Sequence, residues 1–150
     1  MMSGDIIQPE ETDHLFFAEV RKIVGCAFRV YNSLGSGFLE AIYRDALMIE
    51  FRDTDIPAEM EKHLDVYYKG EKLPSTYKTD IICYGQIILE LKAVIKLTDA
   101  DSAQLLHYLK ATGIKTGIIF NFGKKGKLEW KRLVYTDEKY LKNENIPNTS

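Results

Sequence analysis

The sequence predicts an α/β domain: a mixed β-sheet flanked by helices, in the order α-α-β-β-β-α-β-β. Three observations carry that reading. The N-terminal third repeats apolar side chains with helical spacing. From about residue 59 the spacing changes to alternation, and two short apolar runs at 81–83 and 87–91 flank Tyr84-Gly85-Gln86. Beyond them, a helical stretch opening on Thr98-Asp99-Ala100-Asp101 precedes a compact apolar run at 116–122.

Residues 1–11 are polar, hold Pro9 and read as a flexible arm. Thr12 or Asp13 can cap a helix reaching about residue 34. Its apolar positions, among them Val20, Ile23, Val24, Ala27, Val30 and Tyr31, form a wide stripe suited to a core. Gly35-Ser36-Gly37 ends it with residues that tolerate positive φ. A second helix is expected over 38–52, with Leu39, Ile42, Ala46, Leu47, Ile49 and Phe51 as its apolar surface, until Asp53, Asp55 and Pro57 stop it. Strands follow at 59–68 and 73–83, joined by the polar turn Lys69-Gly70-Glu71-Lys72, and a third covers 86–94. A capped helix to Thr112, closed by Gly113, leads to strands at 116–122 and 128–135. The segment from residue 137 is a charged tail, so residues 12–136 make one domain between arm and tail.

Composition bounds the function. At 150 residues, with 45% hydrophobic and 28% charged side chains, the chain can build a sizeable core. A net charge of −2 counts against extended duplex binding by the molecule as a whole, although a local basic groove would not show in the total. Cys26 and Cys83 lie far apart in apolar contexts and read as buried free thiols in a reducing compartment. With no apolar signal core and no run of membrane-spanning length, a cytoplasmic protein without a membrane partner is expected.

The chemistry lies between Asp80 and Lys92. Along a strand Ile88, Glu90 and Lys92 share one face, and Ile87, Leu89 and Leu91 the other. In so apolar a run, charges need compensation. Residues opposite each other across a hairpin point to the same face, so Asp80 joins Glu90 and Lys92 only if the loop has an odd number of residues. A loop of Tyr84, Gly85 and Gln86, with Cys83 opposite Ile87, meets that condition. Two readings stand: an ion pair between Glu90 and Lys92 or two solvated charges on an edge strand, against a pair of hard carboxylates that hold Mg²⁺, with Mn²⁺ as a substitute.

Asp80…Glu90-Leu91-Lys92 resembles the PD-(D/E)XK nuclease superfamily, with its restriction-endonuclease-like fold. Gly37-Phe38-Leu39-Glu40-Ala41-Ile42-Tyr43 is similar to the signature of the small bacterial GxxExxY proteins within it. Thr79 stands where the superfamily's name implies proline. The resemblance implies a metal-dependent nuclease acting on nucleic acid, DNA being the expected substrate. It implies Asp80 and Glu90 as metal ligands, Glu40 as a further ligand directly or through water, and Lys92 at the attacking water. Gln104 and Tyr108, one turn apart, look like the Q-x-x-x-Y element of RecB-type exonucleases. That likeness implies Gln104 near the water or backbone and Tyr108 on a phosphate or base.

Simpler roles are open for the same residues. Glu40 suits a helix start and Tyr43 a core position. Lys124, Lys125 and Lys127, with Trp130 nearby, could hold a nucleic-acid backbone, or could simply keep a hairpin edge soluble. A binding module on the same fold, with weak or lost catalysis, is the rival function, and pairing of two copies is left open.

Overall fold

A computed structural model describes residues 16–136. The expected helix cap at Thr12 or Asp13, the arm and the tail lie outside these residues. Helix α1, Phe17–Leu34, buries Val20, Ile23, Val24, Ala27, Val30 and Tyr31 on one stripe. Gly35 closes it at φ 71°, its N–H donating to the Tyr31 carbonyl at 2.8 Å. Helix α2, Glu40–Asp53, presents Tyr43, Leu47 and Phe51 to the core, a spacing of one residue per turn. That face is narrower than expected. Leu39, Ile42 and Ile49 are exposed, because only one side of α2 meets α1 and the sheet.

The strands are β1 (Ala58–Met60), β2 (His63–Tyr68), β3 (Glu71–Lys78), β4 (Ile81–Cys83), β5 (Ile87–Lys92), β6 (Thr116–Asn121) and β7 (Glu129–Val134), with helix α3 (Asp99–Thr112) between β5 and β6. Two of the strands expected from the sequence are each broken in two. The break after β1 falls at Glu61, which adopts φ 53°, and the break before β4 falls at Thr79 and Asp80. The two corners bond to one another, Glu61 N–H to the Asp80 carbonyl and Thr79 N–H to the Lys62 carbonyl, each at 3.0 Å. The Thr79 hydroxyl ties its corner to the Ile81 carbonyl at 3.0 Å. Each long strand therefore serves two sheets: a five-stranded sheet ordered β1-β4-β5-β6-β7, and a separate β2–β3 hairpin.

In the main sheet only β5 and β6 run parallel, joined by the crossover through α3. Helices α1 and α2 cover one face, packed on Ile81, Cys83, Ile87, Leu89, Leu91, Ile118 and Phe120. On the other face α3 and the β2–β3 hairpin bring Leu105, Leu109, Leu64 and Tyr77 onto Ile82, Ile88 and Ile119. β6 is buried along its whole length, which is why its side chains read as a continuous apolar run. At Gly117 an added Cβ would come within 2.9 Å of the Leu105 side chain, so the missing side chain lets α3 sit close to the sheet. Both cysteines are buried free thiols, and burial pushes the Cys83 thiol well above its ordinary range. Among the described residues no helix is long and apolar enough to cross a membrane.

Candidate active site

The β4–β5 hairpin has the odd loop. Cys83 pairs with Ile87 and Ile81 with Leu89, leaving Tyr84, Gly85 and Gln86 between the strands. Tyr84 and Gly85 both take the left-handed conformation, at φ 56° and 66°, and Gln86 N–H closes the turn on the Cys83 carbonyl at 3.0 Å. The paired register ends at Ile81 and Leu89, and Asp80 and Glu90 are the next residue of each segment beyond it.

Asp80 is half-buried where β4 has already peeled away from β5. There the Leu91 N–H lacks a strand partner, and Asp80 Oδ2 accepts it at 2.7 Å. The carboxyl thereby faces a hollow of about 210 Å³ lined by Glu40, Ala41, Arg44, Asp80 and Leu91. Arg44 is held at the edge of that hollow by Glu61, at 2.9 Å. Glu90 lies on the α3 side of β5, and its Oε1 accepts a hydrogen bond from the Tyr77 hydroxyl at 3.0 Å. Among the described residues no hydrogen bond reaches Asp80 Oδ1 or Glu90 Oε2, so each carboxylate keeps one oxygen open.

Burial raises the pKa of both acids. For Asp80 the Leu91 N–H, Lys92 and Arg44 offset only part of the desolvation. For Glu90 the Tyr77 hydroxyl and Lys92 pull against burial, while Asp80 and Glu40 add repulsion. Tyr77 is itself pushed far above the ordinary phenol range, first by burial and then by the neighbouring Glu90, and so keeps its proton.

Lys92 follows Glu90 on the same face, but the ion pair that it makes is with Asp101 Oδ1, at 3.8 Å. The Glu90–Lys92 pair considered from spacing is not formed. Asp101 is the third residue of α3 and closes the capping box, its Oδ2 accepting the Thr98 N–H at 2.9 Å. The Thr98–Asp101 spacing marked a helix start; nothing in it pointed to the lysine on a neighbouring strand. Gln104 is exposed one turn further along α3 and makes no side-chain hydrogen bond among the described residues. Tyr108, a turn beyond, stacks on the Tyr77 ring with centroids 3.8 Å apart. One face of the ring is therefore already covered.

The remaining expected residues divide. Glu40 is exposed in the first turn of α2, on the hollow that Asp80 faces. Among the described residues no three His, Cys, Asp or Glu side chains gather into a set able to hold a metal, so Glu40 does not complete a three-carboxylate cage. Tyr43 is fully buried, donates to the Gly35 carbonyl at 2.6 Å, accepts from the Phe38 N–H at 3.1 Å and stacks on Phe122. It shapes the loop that delivers Glu40. Lys124, Lys125 and Lys127 sit on the turn after β6, at the same end of the parallel β5–β6 pair as Lys92. Trp130 does not join them. It lies opposite Phe120 on the α1 face and lines a separate groove with Phe17, Val24 and Phe28.

Asn121 locks the segment following Lys92. Its Oδ1 accepts the N–H groups of Val94 and Gly123, at 2.9 and 3.0 Å, and its Nδ2 donates to Glu129 at 3.0 Å. Asn121, Arg44 and Tyr77 carried no signal in the sequence, and Asp101 carried one only for the helix start, because each acts at the site through a neighbour that only the folded chain supplies.

The sequence matches the profile of the PD-(D/E)XK nuclease superfamily over residues 18–133, which takes in all three helices and the whole sheet apart from its margins. The chain belongs to the PD-(D/E)XK nuclease superfamily. Its mixed sheet with helices on both faces is the restriction-endonuclease-like arrangement of that superfamily. A solved structure titled "Crystal structure of SSO0001" is similar in fold, with a TM-score of 0.51 at 16% identity. The alignment covers 87% of this chain and 66% of that one, so the present chain spans a little under two thirds of its length. No curated protein sequence matches.

Members of this superfamily generally use divalent metals, and the site fits one in part. Asp80 and Glu90 are hard oxygen donors, each with an open oxygen, in surroundings that disfavour their negative charge. Two such carboxylates suit a small divalent cation that keeps most of its water.

Proposed function

We propose that this protein is a metal-dependent nuclease that hydrolyses phosphodiester bonds of nucleic acid, with DNA as substrate, and that it is one of the GxxExxY proteins. The observation that carries this reading is the nearness of Asp80 and Glu90 at the open end of the β4–β5 hairpin, two desolvated carboxylates that repel one another and keep one open oxygen each, with Lys92 two residues beyond Glu90 on the same strand face. Asp80 and Glu90 would hold Mg²⁺, which Mn²⁺ can replace. When bound, the cation supplies charge neutralisation at the phosphoryl group and a more acidic water.

The chain's own residues do the rest. Leu91 N–H and the Tyr77 hydroxyl fix one oxygen of each carboxylate and so set the direction of the other. Asp101 holds the Lys92 ammonium near the site, where it can orient the attacking water or stabilise the growing negative charge on phosphorus. Gln104, exposed on α3 one turn after Asp101, is free to donate to a phosphate oxygen or the water. Glu40, across the hollow, supplies a further carboxylate that acts through water. Lys124, Lys125 and Lys127 contribute positive charge at the same end of the sheet, where a backbone would leave the site.

One observation favours a second reading, a nucleic-acid- or protein-binding module that does not cut. The Lys92 ammonium is engaged by Asp101, and among the described residues no third acid gathers with Asp80 and Glu90 into a metal-holding set. End-labelled single- and double-stranded DNA, incubated with Mn²⁺, Mg²⁺ or chelator, separates the two. Cutting that needs the metal and is lost in Lys92→Met supports the nuclease. Binding without cutting under any metal condition supports the module.

A further inference from the structure

Tyr77 reaches the site from outside the main sheet. It belongs to β3, part of the separate β2–β3 hairpin, yet its side chain is only 7% exposed and its hydroxyl ends on Glu90 Oε1. The ring lies flat on Tyr108, at an interplanar angle of 15°. Tyr108 comes from α3, whose first turn carries Asp101 against Lys92. One helix therefore bears on both charged side chains of β5: through Asp101 on the ammonium, and through Tyr108 and Tyr77 on the carboxylate.

We infer that Tyr77 and Tyr108 are positioning residues for Glu90, a stacked pair that clamps one carboxylate oxygen and aims the other at the cation. The inference deepens the metal-dependent reading above and rests on it. A glutamate on a strand can turn its carboxylate about three side-chain torsions before it is held. A hydrogen bond to one oxygen removes that freedom, and outer partners of this kind commonly govern metal affinity. The Tyr77 hydroxyl supplies the bond, and the Tyr108 ring keeps the phenol from swinging away. In this arrangement Tyr108 works through its ring. Its hydroxyl carries no part of the task, unlike a tyrosine that contacts a phosphate.

Titration of the full chain with Mn²⁺, followed by electron paramagnetic resonance of the free ion, tests this without reference to cutting. Thermal midpoints are read alongside. Tyr77→Phe keeps the stack and loses the hydroxyl, and should weaken Mn²⁺ binding about 10- to 100-fold with the fold retained. Tyr108→Phe should bind as the parent does, and Tyr108→Leu should weaken binding in the same direction as Tyr77→Phe. Unchanged affinity in Tyr77→Phe overturns the inference. So does a Tyr108→Phe variant as impaired as Tyr108→Leu, since the hydroxyl would then be the working part. Should Tyr77→Phe fail to fold, the two Tyr108 variants decide alone. A parent protein that binds no Mn²⁺ would sink the metal-dependent reading and this inference together, whereas a binding parent with an indifferent Tyr77 would sink only the latter.

Discussion

Asp80 does two jobs that substitution can separate. Its Oδ2 satisfies the Leu91 N–H at 2.7 Å, at a point where β4 no longer runs beside β5. Its negative charge, held above the ordinary carboxylate pKa chiefly by burial, is what a cation would neutralise. Asp80→Asn keeps the shape and an accepting oxygen but removes the charge; Asp80→Ala removes both. Leaving the Leu91 N–H without its acceptor costs about 1–3 kcal/mol, and losing a carboxylate that burial disfavours offsets part of that. Alanine should therefore lower the thermal midpoint by about 2–10 °C, and asparagine by clearly less. Both should abolish Mn²⁺ binding measured by calorimetry. An asparagine variant that binds Mn²⁺ like the parent would refute the assigned role in the site. Equal destabilisation by the two substitutions would refute the claim that the hydrogen bond to Leu91 is the structural contribution of Asp80.

Three further expectations follow from the same geometry. Because Asp80 and Glu90 both have raised pKa values, the folded chain retains protons that the unfolded chain has already released between the ordinary carboxylate range and the raised values. These groups therefore make stability fall as pH rises through that interval, and it stays lower above it; urea midpoints in metal-free buffer should show the decline, and a double variant Asp80→Asn, Glu90→Gln with the same slope would refute it. Gly123→Ala would place a Cβ against the Val94 carbonyl oxygen and the Ala93–Val94 peptide, backbone that cannot swing aside. It should cost about 1–3 kcal/mol in urea unfolding, more than Gly117→Ala, whose nearest contact is the movable Leu105 side chain. Replacing Lys124, Lys125 and Lys127 together should weaken DNA binding and flatten its salt dependence by up to about 0.9 per lost phosphate contact. Trp130→Ala, on the opposite face, should leave both unchanged in the same anisotropy titrations, and a loss on that substitution would relocate the binding surface.

Part of the scaffold under the candidate site was legible from local spacing. The three-residue loop that sets Cys83 opposite Ile87 is a count along the chain. The capping box at Thr98 and the left-handed glycine at Gly113 are likewise short-range chemistry, and both are present. The breaks at Glu61 and Thr79 were not legible. Alternation continues through them, and only the bonds between the two corners turn one pair of long strands into pieces of two sheets. Tyr77 was lost with them: in an unbroken strand it shares the face of Ile81 and Leu89, opposite to that of Glu90. Trp130 beside the lysines was an inference from adjacency in sequence, which strand alternation undoes by sending it to the α1 face.

By itself, then, the sequence determined the order of elements, the three-residue turn between β4 and β5, and the residues that begin and end α3. These rest on interactions within a few residues of each other, where side-chain period and backbone preference act directly. The tertiary structure alone decided that Lys92 faces Asp101, that Tyr77 holds Glu90, and that Asp80 turns into a hollow shared with Glu40. Those partners stand 9 to 40 positions apart in the chain. They meet because the helices and hairpin that cover the apolar faces of β4, β5 and β6 carry them to the same place.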